Sequence, residues 1–116
     1  MSPRSRRRFE SLVADALDEL PGWVQEAMDN VAVVVEDHPP ANEPDLLGLY
    51  EGVARTERES YAGVLPDRIT LFRATIENEA GDDDEELRAV IAETVVHEVA
   101  HHFGISDERL EALGWD

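Results

Sequence analysis

Three of the four histidines fall within six residues, in the segment His97-Glu-Val-Ala-His-His-Phe-Gly-Ile-Ser-Asp107. His97 and His101 are four positions apart, so on a helix they stand one turn apart on one face, where two imidazoles can share a metal ion. Glu98 follows the first of them and is placed to act as general base toward water activated at that ion. The chain has no cysteine, which excludes disulfides and thiolate sites, so a metal must be held by His, Asp or Glu. The chemistry this set offers is hydrolysis at a divalent ion, with Zn2+ as the expected cofactor.

The third ligand is sought nearby. The 116-residue chain runs only a short way past His102, which leaves little material for a glutamate on a distant downstream helix. Gly104 tolerates left-handed backbone angles, so the chain can fold back there and bring Asp107 to the metal. Asp107 has a second reading, as an acid in the first turn of a last helix capped by Ser106. The two roles are compatible, since a carboxylate has two oxygens. His102 points about 100° away from the histidine pair and is expected to pack or to support rather than to ligate. His38 precedes two prolines and is expected to be a loop residue without a role.

These residues need a helix to carry them. The acidic run Asp82-Asp-Asp-Glu-Glu86 suits the positive end of a helix dipole and lacks the spaced ligands and glycine of a calcium loop. From there a helix is predicted to about Phe103, with Gly104 as its stop. Counted from Leu87 at about 100° per residue, Glu85, Arg88 and Glu93 gather between about 100° and 240°. Leu87, Val90 and Ile91 lie between about 300° and 40°, and His97, Glu98, His101 and His102 between about 280° and 60°. The polar set therefore continues the face that the first half turns toward the core. Polar groups there need partners, and a metal in a cleft supplies one. That argues against the plain alternative, polar helix residues bonded only to one another.

The other elements follow from periodicity. Phe9, Leu12, Val13, Ala16, Leu17 and Leu20 form one helical stripe, ended by Pro21-Gly22. Val31 to Val35 is β-branched and reads as a buried strand, closed by Asp37-His-Pro-Pro40. A second strand or extended edge is expected within Asp45 to Gly52. Residues 53–67 are polar with a turn at Pro66-Asp67, and Arg68 to Arg73 alternates like a half-buried strand. A short helix from Asp107 to Leu113 closes the chain. The fold class is α+β, a short mixed sheet packed on an N-terminal helix and a long helix bearing the site. Residues 1–8 are expected to be a flexible basic arm and 9–116 a single domain.

Composition narrows the function further. The formal charge of −17, from 27 acidic and 10 basic residues, opposes binding to nucleic acid or anionic membranes. The longest aliphatic run is too short to span a bilayer, and no apolar segment follows Arg4 to Arg8 as a secretory signal requires. A cytoplasmic location is the expectation.

The string His97-Glu-x-x-His-x-x-Gly-x-x-Asp107 resembles the extended zinc motif of the metzincin metallopeptidases, in the variant with Asp as third ligand. More closely, the chain resembles the minimal bacterial zincin-like metallopeptidases. The likeness rests on Leu46-Leu-Gly-Leu-Tyr-Glu-Gly52, Leu65-Pro-Asp-Arg-Ile-Thr-Leu71 and Thr94 to Leu110, and spans roughly residues 31 to 114. It implies a small zincin-like domain, zinc at His97, His101 and Asp107, and Glu98 as catalytic acid and base. The chain departs from full-length metzincins in one respect. Its only methionines are Met1 and Met28, so no methionine-containing turn follows the motif.

The functional expectation is a zinc peptidase acting on a peptide or protein, with no nucleic-acid or membrane partner. A substrate strand could lie along the sheet edge near Leu47 to Tyr50. The alternative is a non-catalytic zinc-containing protein-interaction module. An open coordination position discriminates them, because a structural zinc is closed by a fourth protein ligand.

Overall fold

The structure, a computed structural model, describes residues 3–52 and 66–115. The first amphipathic stripe forms α1 (Pro3–Asp18) and the turn after it, burying Phe9, Leu12, Val13, Ala16 and Leu20. Pro21 then starts a second short helix, α2 (Gly22–Ala27), which buries Val24 and which the sequence reading lacks. Residues 3–8, expected as a flexible arm, are instead the first turns of α1. Arg6 donates to the Val35 carbonyl at 2.6 Å and to Asp37 at 3.1 Å, and Arg8 pairs with Asp84. The basic residues pin the helix start to the end of a strand and to the start of the site-bearing helix.

Three strands make a mixed sheet in the order β1 (Val31–Glu36), β3 (Asp67–Phe72), β2 (Gly48–Glu51). β1 runs parallel to β3, and β2 antiparallel to it, with Gly48 opposite Leu71 and Tyr50 opposite Ile69. The expected burial of the first and third strands is reversed. β1 lies at an edge and its valines are only half-buried, whereas β3 lies between the other two and buries Ile69, Thr70, Leu71 and Phe72 in succession. A strand covered on both faces loses the alternation of a half-exposed one. All of the polar connection from 53 to 65 lies outside the described residues.

β3 leads directly into α3 (Arg73–Ala80), also absent from the sequence reading. Its first residue, Arg73, is fully buried and paired with Asp37 at 2.9 Å and Glu77 at 3.2 Å. Two more helices complete the order among the described residues: α4 (Asp84–His102) and α5 (Asp107–Ala112). The result is the expected α+β architecture. No helix among the described residues is long and apolar enough to cross a membrane.

Candidate metal centre

α4 carries the histidines, and its ends are set by local chemistry. Asp83 caps it by accepting from the Glu85 N–H at 2.8 Å, and three acids fill its first turn against the helix dipole. At the other end Gly104 has φ of 77°. The Gly104 N–H donates to the His101 carbonyl at 3.1 Å and the Ile105 N–H to the Ala100 carbonyl at 2.8 Å. These are the two bonds of a Schellman turn. The chain then reverses, Ser106 caps α5 by accepting from the Arg109 N–H, and Asp107 enters the first turn of α5. Leu110, fully buried, seats that helix.

The turn delivers Asp107 to the histidine pair. His101 Nε2 lies 2.9 Å from Asp107 Oδ1, and the His97 and His101 rings stand edge-on with centroids 5.7 Å apart. One ligand atom from each of His97, His101 and Asp107 lies within 4.8 Å of the others. Tetrahedral zinc with bonds of about 2.0–2.2 Å holds its ligand atoms about 3.3–3.6 Å apart, so the three fit such an ion with small adjustments. Both readings of Asp107 apply, since it joins the cluster while sitting at the start of a capped helix. Hydrogen bonding from His101 holds its carboxyl below the ordinary value. The cluster is open, with the His101 side chain 53% and that of Asp107 80% exposed.

The wheel argument holds for Glu98 and fails for His101 and His102. The buried stripe of α4 begins at Leu87 and Ile91 but rotates in the second half onto Val95, Val96, Val99 and Ala100. Burial of each valine is worth about 1.5–3 kcal/mol, which anchors the histidine-bearing half by its opposite side. Thr94 and Glu98 continue the original face and meet β2 rather than the core. A Cβ on Gly48 would stand 2.8 Å from Thr94 Cγ2 and 3.6 Å from Glu98 Cγ. His97 is half-buried beside them, while His101 and His102 lie at the solvent rim.

Glu98 is fixed by the strand. Its Oε1 accepts the Tyr50 N–H at 3.1 Å. The Phe72 N–H donates to the Leu47 carbonyl, so in the antiparallel alternation Leu47 and Leu49 face β3 while Gly48 and Tyr50 turn their polar groups outward. Burial pushes the Glu98 carboxyl above its ordinary value, opposed by the Tyr50 N–H and by the positive character of His101 and His97. A carboxylate raised in this way is a better proton acceptor near neutrality.

A comparison with known families matches residues 28–115 to the zincin-like metallopeptidases. The chain belongs to this family. A comparison with curated proteins gives no match. Membership in the zincin-like metallopeptidases agrees with an α+β domain and with a donor set of two imidazoles and a carboxylate. His102 lies outside the metal-capable set: its ring stacks on Tyr50 at 3.9 Å, and Phe103 meets its edge. His38 is exposed in a bend after β1 and likewise takes no part. The sequence reading missed Tyr50, which binds Glu98 through its backbone, stacks on His102 and donates its hydroxyl to Asp67 at 2.7 Å. It also missed Gly48 as a contact point, although an isolated glycine in an apolar run marks a close backbone approach.

Beside these residues lies a groove of about 350 Å3 between the segment 45–48 and α4, with His97 and Glu98 forming part of its wall.

Proposed function

We propose that this zincin-like protein is a zinc-dependent peptidase in which His97, His101 and Asp107 hold the metal and Glu98 is the general base. The observation that carries the reading is the number of converging ligands. Among the described residues three metal-capable groups gather, not four, which leaves a tetrahedral ion one position for water or substrate. That supports catalysis over a closed structural site. When bound, zinc supplies Lewis-acid polarisation of a carbonyl and acidifies water toward a pKa of about 7.

The chain's own residues supply the remainder. Glu98 takes a proton from the attacking water and returns it to the leaving amine. The Tyr50 N–H holds one carboxylate oxygen and leaves the other for proton transfer. A substrate peptide lies in extended form along the sheet edge near Leu47 to Tyr50. The groove beside Glu98 receives a side chain of that peptide.

The test is hydrolysis of a mixed peptide library by untagged protein of known zinc content, with Glu98→Gln as control. The expected result is about one zinc per chain in both proteins, with cleavage by the wild type and a drop of at least about 100-fold in the variant. Cleavage retained by Glu98→Gln would remove the mechanism, and absence of zinc after reconstitution would remove the metal.

A further inference from the structure

We infer that His102 is a positioning residue: its ring clamps Tyr50 against the last turn of α4 and so holds the Tyr50 N–H where it fixes the carboxylate of Glu98. The role rests on Glu98 as the general base proposed above, whereas the clamp rests on geometry alone.

Thr94, Glu98 and His102 recur every four residues and form one stripe on α4. Gly48, Tyr50 and Gly52 recur every two and belong to one side of β2 and its continuation. The two rows match in pitch. Four helical residues rise about 6.0 Å, and two strand residues advance about 6.6–6.8 Å. Each residue of the stripe therefore meets its own part of the strand. Thr94 Cγ2 lies 2.8 Å from a Cβ built on Gly48. Glu98 accepts the Tyr50 N–H at 3.1 Å. His102 stacks on the Tyr50 ring with centroids 3.9 Å apart and planes 17° from parallel, and its Cε1 lies 3.5 Å from a Cβ built on Gly52. Glu98 is the middle member, so the strand is registered against the helix on either side of it.

An exposed histidine at a helix end is ordinarily a solvated polar group. His102 is held differently. Its ring nitrogens make no hydrogen bond among the described residues, and its ring surfaces are what it uses. Tyr50 covers one face, and Phe103 meets it edge-on with centroids 5.0 Å apart. The far end of Tyr50 is anchored in turn, its hydroxyl donating to Asp67 at 2.7 Å. β2 is an edge strand, paired on one side to β3 among the described residues. Without His102, Tyr50 loses the side-chain contact that presses it toward α4 beside Glu98. A misplacement of about 1 Å at a reacting group can cost about 100-fold in rate. The clamp needs the flat ring and not the nitrogens, so phenylalanine can replace His102 and alanine cannot.

The test uses the full-length, zinc-reconstituted chain. On a cleaved peptide, His102→Ala is expected to lower kcat about tenfold, with KM and zinc affinity within about twofold, and His102→Phe to recover about half of the wild-type kcat or more. Amide hydrogen exchange by NMR reads the clamp without activity. In His102→Ala the protection of the Tyr50 N–H should fall about tenfold while that of Leu49, paired with Thr70, stays unchanged, and His102→Phe should restore it. That pattern in a chain that cleaves no peptide keeps the clamp and overturns the peptidase reading. Unchanged Tyr50 protection in His102→Ala, equal loss at Tyr50 and Leu49, or no rescue by His102→Phe overturns the clamp. Where a peptide is cleaved, an unchanged kcat in His102→Ala, or a loss of zinc affinity as large as that of kcat, overturns the positioning role.

Discussion

The backbone N–H of Tyr50 donates to Glu98 Oε1 at 3.1 Å, so the outer edge of β2 and the glutamate beside the histidine pair form one unit. The bond compensates only in part for taking the carboxyl out of water. Burial dominates, and the acid sits above its ordinary value. The proposed general base is thus held at some expense to the fold, the relation between stability and function expected of an active site.

The sign of that expense is measurable in metal-free protein. Below the ordinary carboxylate range Glu98 is protonated folded and unfolded, and its ionisation costs nothing. As pH rises through its raised folded value, the folded state must ionise a half-buried group and stability is lost. Glu98→Gln keeps an oxygen to accept from Tyr50 and has no charge to bury. Urea unfolding at a series of pH values should show the variant gaining on the wild type as pH rises through the weakly acidic range, then levelling off. A difference independent of pH would mean that Glu98 is no more desolvated folded than unfolded.

Gly48 controls how closely the strand approaches the helix. A Cβ there would stand 2.8 Å from Thr94 Cγ2 and 3.2 Å from the Thr70 carbonyl oxygen. Thr94 is buried and its hydroxyl donates to the Val90 carbonyl at 2.7 Å, so neither neighbour yields easily. Gly48→Ala should cost about 1–3 kcal/mol by chemical denaturation, the range for overpacking. Thr94→Ser removes the clashing methyl and keeps the hydroxyl. In that background the cost of Gly48→Ala should shrink without vanishing, because the Thr70 carbonyl stays. Strictly additive effects of the two substitutions would show that Thr94 is not the obstacle.

What could be read in the sequence was local. The stripe on α1, the acidic start of α4, the Gly104 stop and the grouping of His97, His101 and Asp107 all depend on residues within a turn or two of one another. The errors are long-range. Five consecutive β-branched or small residues mark β1 as strand-forming, but strand order decides which strand is covered, and β3 took the centre. α3 has no side-chain cap, and only Arg73 and Ile76 are buried along it. It is held from outside, by Asp37 on Arg73 and by the Thr75 hydroxyl donating to the Leu46 carbonyl at 2.6 Å. Arg73 reads as an exposed charge until Asp37 is brought to it. The rotation of the buried stripe along α4 was hidden for a related reason. Both sides of its second half are apolar or ligand-bearing, and only the position of β2 tells them apart.

Gly104 differs from Gly48 in kind, and the difference decides how the candidate metal cluster is assembled. Nothing lies within 4 Å of a Cβ added at Gly104, so space is not the constraint. Its φ of 77° is. An alanine forced into that left-handed region should cost about 1–2 kcal/mol, and asparagine less. Asp107 reaches His101 through this turn, so strain or fraying there should also loosen Asp107 as the proposed third ligand. Zinc affinity by chelator competition should therefore fall in the order wild type, Gly104→Asn, Gly104→Ala, Asp107→Ala. The last variant should leave metal-free stability almost unchanged, because the Asp107 side chain is 80% exposed. The two readouts separate the roles: Gly104 acts on fold and site together, Asp107 on the site alone. If Gly104→Ala lost stability while binding zinc as the wild type does, the left-handed turn would serve only to end α4, and the seating of α5 by Leu110 would be what positions Asp107.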